Sequence, residues 1–238
     1  MDPHLQLTIS HISLTLASLV LDVILCIIIH GDGARKEQRN KKYLAFCFVM
    51  IIGMVLTCLD EALRRDGLVQ MPQRVGLALY LSTYLANTML CYFFSRYTET
   101  FFKERSVFWR RLSNVNGGLM VLAIVLNVGC YVRKFMTLDG SAENFGITPW
   151  FRFVIAFAFE LYFILYSAVL FVAHRREPSK RAVITAVGAF LLTISGIVLE
   201  LFNRTGILIN YFGAVIGLYV FYIGVETPDY KLLLTALS

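Results

Sequence analysis

HISLTLASLVLDVILCIIIH, residues 11–30, carries one ionisable side chain, Asp22, between its terminal histidines. At a helical rise of about 1.5 Å per residue such a run spans about 30 Å, the thickness of a bilayer's hydrocarbon core. The apolar residues fall on every face, unlike the alternating strands of roughly ten residues that build membrane barrels. Backbone groups in lipid must be satisfied within the segment, so the run predicts a membrane helix.

Six further apolar windows follow, at residues 43–62, 76–98, 113–132, 150–173, 182–202 and 207–225. Of the 238 residues 58% are hydrophobic and 16% charged, against about 25% charged in an ordinary soluble domain. Seven spans of about 20 residues absorb the apolar content and leave no room for a separate soluble domain. The expected fold is an all-α membrane protein, a seven-transmembrane helix bundle in residues 1–226. In it, Gly213-x-x-x-Gly217 is a candidate close contact between helices.

Basic residues set the orientation. The connections after spans one, three and five, with Lys231, hold 15 of the 22 Lys and Arg, and the alternate side holds 7. This bias predicts an outside N-terminus and a cytoplasmic C-terminus. Met1 to Ser10 contain no Lys or Arg, so span one is expected to stay as an anchor and not to be cleaved as a signal peptide. The net charge of +6 then reflects anchoring to the anionic lipid bilayer, not to nucleic acid.

The chain has no H-E-x-x-H, G-x-S-x-G or P-loop motif, and span seven has no lysine for a Schiff base. No catalytic residue, cofactor or metal site is expected. His30 and His174 share the inner depth, but as interfacial histidines they need no metal. Cys26, Cys47, Cys58, Cys91 and Cys130 read as buried thiols acting as small apolar groups, with a Cys58–Cys130 disulfide as the minor alternative.

Ionisable groups inside a span are functional candidates by default, because lipid makes them costly. Asp22 and Glu160 fall near mid-depth of spans one and five. Asp60, Glu61 and Glu200 fall near the outer ends of spans two and six, with Arg152 on the same side, and Asn87 lies on one face of span three with Tyr80, Tyr84 and Cys91. Together they are candidates for an outward-opening pocket for an unknown small-molecule ligand. Alternatively, the acids pair with interfacial arginines or inter-helix hydroxyls and only fix helix packing.

After span seven, Thr227 is a helix N-cap candidate, Pro228 fits the first helical position, and Asp229 suits the positive end of the dipole. Tyr230, Leu233, Leu234 and Leu237 then form an i, i+3, i+4, i+7 stripe, so residues 227–238 are expected to begin a cytoplasmic juxtamembrane helix that pairs with a copy of itself in a homodimer. A start signal and a seam that end after two turns suggest a chain cut at a domain boundary, or a short protein whose partner supplies the rest.

The segment Cys58-Leu59-Asp60-Glu61-Ala62-Leu63-Arg64-Arg65-Asp66-Gly67 closing span two, Asn87 followed by Tyr92-Phe93-Phe94, and the helix after span seven resemble the N-terminal membrane sensor region of bacterial signalling proteins. In those families the region precedes a diguanylate cyclase (GGDEF) domain or a histidine kinase core. The resemblance implies a sensory input module that detects an extracytoplasmic or membrane stimulus and relays it through Thr227 to Leu237. The output motifs of those families are absent from this sequence. The alternative is a small transporter or channel using Asp22 and Glu160.

Overall fold

The computed structural model of the chain describes residues 3–31, 38–65, 72–102, 107–136, 158–174, 180–202 and 210–223. Regular structure among them is entirely helical. Seven α-helices run in order: α1 Pro3–Gly31, α2 Gln38–Leu59, α3 Gln73–Thr98, α4 Val107–Met136, α5 Phe159–Ala173, α6 Lys180–Phe202 and α7 Asn210–Phe221. They fall at the seven places the apolar windows indicate. Four segments, Ile12–His30, Lys41–Leu63, Arg74–Phe101 and Val107–Arg133, are long and apolar enough to cross a membrane, and α5, α6 and α7 hold shorter apolar stretches.

The distribution of side chains on α1 reverses that of a water-soluble helix. Thr15, Ser18, Asp22, Leu25 and Ile29 are buried, at the spacing of one helical face. Leu16, Val20, Ile24 and Ile27 are exposed, Val20 and Ile27 by 59% and 65%. Polar groups inside and bare aliphatics outside are what lipid selects, because the solvent is itself apolar. The same apolar exterior covers Phe48 on α2, Val121 and Val125 on α4, Val172 on α5 and Leu191 on α6.

Helix ends follow from local chemistry. Pro72 holds extended angles (φ −55°, ψ 132°), and its carbonyl accepts from the amides of Val75 and Gly76 at 2.9 and 3.1 Å, starting α3. At the far end α3 tightens into a 3₁₀ turn, Glu99–Phe101, before Phe102 becomes extended (φ −111°, ψ 111°), a common way to satisfy the last carbonyls. α2 widens at its end into a π-helical turn, Asp60–Arg65.

Ring contacts tie the helices together at one end of the bundle. Tyr43, near the start of α2, lies 4.8 Å from Tyr97 at the end of α3, which lies 5.7 Å from Phe221 at the end of α7. Phe102 meets Phe171 at the end of α5 at 5.3 Å and His174 at 5.0 Å, and Trp109 at the start of α4 meets His174 at 5.4 Å. The starts of α2 and α4 and the ends of α3, α5 and α7 therefore share this layer. α6 approaches α7 closely at Gly217, where an added Cβ would sit 2.9 Å from the Ala189 carbonyl oxygen. All five cysteines are free thiols, and Cys130 packs with Leu77, Tyr80 and Leu81 of α3.

Candidate functional site

Three buried polar clusters stand out among the described residues. The first centres on Tyr211 of α7, which is 3% exposed. Its hydroxyl donates to Oδ1 of Asn87 on α3 and lies 3.2 Å from Oγ1 of Thr57 on α2. A phenol has one proton, so with that proton given to Asn87, Thr57 supplies the other. Gly53, one turn from Thr57, makes room: a Cβ there would come within 3.0 Å of the Tyr211 hydroxyl. Glu160 in the first turn of α5 and Cys91 of α3 lie close enough to interact electrostatically with Tyr211. One of the expected site residues, Asn87, thus meets a residue that sequence reasoning passed over.

A cavity of about 70 Å³ lies between α3, α5, α6 and α7, with Cys91, Phe94, Ile164, Phe190 and Gly217 among its lining. No charged side chain lines it among the described residues. Its chemistry suits a small apolar guest or a lipid chain better than a cation.

The second cluster sits at the aromatic end. Glu99 is completely buried. Its Oε2 accepts from Arg96 Nη1 at 2.9 Å and from the Ser113 hydroxyl of α4 at 3.0 Å, and its Oε1 accepts from the Tyr166 hydroxyl of α5 at 2.9 Å. Arg96 Nη1 also donates to the Ser113 hydroxyl. Beside it Thr98 donates to Ser167 of α5 at 3.3 Å. One carboxylate therefore fastens three helices. In sequence, Arg96 at the end of an apolar window reads as an interfacial anchor, which conceals this role of Glu99 three residues on; the i, i+3 spacing of opposite charges is the one available clue.

The third is Asp22 of α1, with no exposed surface and no N–H or O–H donor on either carboxylate oxygen; the thiol of Cys47 is the polar group that faces it. The thiols of Cys26 on α1 and Cys47 on α2 lie beside it; a carboxylate oxygen and the two sulfurs are all within 4.8 Å of one another. Asp22 and Glu160, expected to share mid-depth, belong to different clusters.

Asp60 and Glu61 are buried, at 9% and 6% exposure. Both fall in the π-helical turn, whose extra residue per turn changes which side chains face inward. Glu200 lies within α6. Arg152 and the relay positions Thr227, Pro228, Tyr230, Leu233, Leu234 and Leu237 lie outside the described residues. Asn127 bridges helices, donating to the Leu81 carbonyl at 3.1 Å. Compared with known proteins, the chain matches no family model, no curated sequence and no solved structure.

Proposed function

We propose that the chain is a multi-pass sensory input module of the cell membrane, with seven spans, an outside N-terminus and a cytoplasmic C-terminus. It relays a stimulus through the helix expected from Thr227 to a cytoplasmic output domain, a diguanylate cyclase or histidine kinase, in a homodimer paired through that helix. The observation that carries this reading is how α7, the helix leading to the tail, is held. Tyrosine hydroxyls fasten it at three points: Tyr211 to Asn87, Tyr43 to the Leu218 carbonyl at 3.0 Å, and Tyr219 to the Leu21 carbonyl at 2.7 Å. Each such bond contributes about 1 kcal/mol net. A ligand that discriminates between two packings by a few kcal/mol is therefore enough to move α7.

The test fuses the chain at Ser238 to a diguanylate cyclase domain of known basal activity. Because the loss of about 1 kcal/mol changes an equilibrium about fivefold, the pair Asn87→Ala and Tyr211→Phe is expected to shift cyclic di-GMP output by about threefold or more at equal membrane abundance. Deleting residues 227–238 is expected to erase the difference between variant and wild type. Identical output from the intact fusions would defeat the proposal. Transport is the second reading, favoured by the buried carboxylate of Asp22, which meets no N–H or O–H donor; uptake that survives removal of the tail would support it.

A further inference from the structure

The carboxylate of Asp22 is an anomaly that the sensing role leaves unexplained. Buried polar groups are paired as a rule, and a buried charge without a partner is costly, more so within a bilayer. α1 supplies Asp22 and Cys26 four residues apart on one face, and α2 brings Cys47 against them. Asp22 and Cys47 are completely buried, whereas Cys26 is partly exposed. Cys26 also lines an open groove between α1 and α2, together with His30 and Lys41. The constellation is therefore buried on one side and reachable on the other.

We propose that Asp22, Cys26 and Cys47 form a binding site for a thiophilic divalent cation of the zinc class. The three ligand atoms lie within 4.8 Å of one another, so none needs to be farther than about 2.8 Å from a common centre. Zinc bonds are about 2.3 Å to sulfur and 2.0–2.2 Å to carboxylate oxygen, so the sulfurs need to close by at most about 0.5 Å and the oxygen by at most about 0.8 Å, within the reach of small χ rotations.

The donor set selects the metal. Two sulfurs disfavour magnesium and calcium, which take oxygen ligands, and the carboxylate is a poor match for copper(I). An iron–sulfur cluster needs more thiolates. Zinc accepts both donor types and leaves one of four positions free on the groove side. Both thiols lose their protons on binding and coordinate as thiolates. With the carboxylate they bring three negative charges to the ion's two positive ones, so Asp22 gains a counter-charge and the site keeps one net negative charge. The site stands independently of signalling, since it is a property of the bundle alone.

The test uses the full chain in detergent micelles, reduced and stripped with a chelator, with cobalt(II) as the spectroscopic probe. The expected result is one equivalent of cobalt giving a thiolate-to-metal charge-transfer band, bleached by stoichiometric zinc. Cys47→Ser and Cys26→Ser are expected to diminish the band, and Cys58→Ser to leave it unchanged. Asp22→Asn should retain a band but weaken affinity by at least about tenfold, since even outer-shell changes at metal sites cost 10–100-fold. In the unaltered protein, zinc is expected to slow maleimide labelling of Cys26, a readout that needs no variant to fold. No charge-transfer band, a band undiminished in Cys47→Ser, or zinc-independent labelling would each overturn the proposal. So would a Cys26–Cys47 disulfide persisting in the protein under the reducing conditions of the assay.

Discussion

Glu99→Ala is expected to lower the unfolding free energy of the bundle in detergent by about 3 kcal/mol, the lower end of the range for breaking a buried ion pair. The lower end applies because Arg96 keeps 32% of its side chain exposed and can turn to water when its partner is lost. The Tyr166 and Ser113 hydroxyls cannot, and leaving them without an acceptor accounts for much of the loss, at about 1–3 kcal/mol each when unsatisfied. Arg96→Ala should cost at least as much as Glu99→Ala, because it leaves a completely buried carboxylate without its counter-charge. Glu99→Gln, which preserves volume and can still accept from Tyr166, should cost less than either. Denaturant unfolding followed by intrinsic fluorescence measures all three. A Glu99→Ala protein within about 0.5 kcal/mol of wild type, the usual range for inconsequential surface changes, would show that Glu99 does not join α3, α4 and α5.

Gly217→Val is expected to destabilise the bundle by about 3 kcal/mol, and Gly217→Ala by about 1–2 kcal/mol, within the range for overpacking a well-packed interior. Already the first added carbon meets the Ala189 carbonyl oxygen at 2.9 Å and the Thr193 hydroxyl at 3.2 Å. The carbonyl belongs to the backbone of α6 and cannot rotate aside, so α6 and α7 must separate. Gly188→Ala on the opposing helix is the contrast. No atom outside its immediate surroundings lies within 4 Å of the added carbon, and the change is expected to be neutral or stabilising by up to about 1 kcal/mol, the helix-propensity gain of alanine over glycine. Thermal unfolding of the three variants in one detergent decides the matter; equal effects at 188 and 217 would mean that α6 and α7 do not meet at Gly217.

That contrast shows where sequence reading stops. Seven apolar windows locate seven helices because length and hydropathy are local properties, and the helices begin and end within a few residues of most of them. Gly188 and Gly217 look alike in sequence, and only the approach of a second helix separates them. The same holds for the acids. Asn87 and Glu160 are legible as polar groups in costly places, but Tyr211, which joins Asn87 to Thr57, reads as one aromatic among many. Glu99 is hidden by its position at the end of an apolar window, where a charge has a simpler explanation. Half of the Asp22 constellation is legible, since Asp22 and Cys26 stand four apart on one helix, whereas Cys47 joins them only through the packing of α2 on α1. Asp60 and Glu61 face inward because α2 leaves α-helical periodicity at that point, a change that the residue pattern of the segment does not announce.

The contact of α1 with α7, made where Tyr219 reaches the Leu21 carbonyl, has a consequence for biogenesis. A ribosome making about 5–20 residues per second needs about 9–36 s to synthesise the roughly 180 residues (210 − 31) from the end of α1 to the start of α7. Throughout that interval the first helix is in the membrane with its Thr15, Ser18 and Asp22 stripe incompletely covered. A central Asp opposes insertion by about 3 kcal/mol, and the surrounding Leu and Ile offset this at about 0.3–0.6 kcal/mol each. α1 can therefore enter early, yet it finishes packing only when α7 is delivered. A nascent chain stalled before that point presents a polar stripe within the bilayer, the feature by which membrane insertases and proteases can distinguish an unfinished bundle from a completed one.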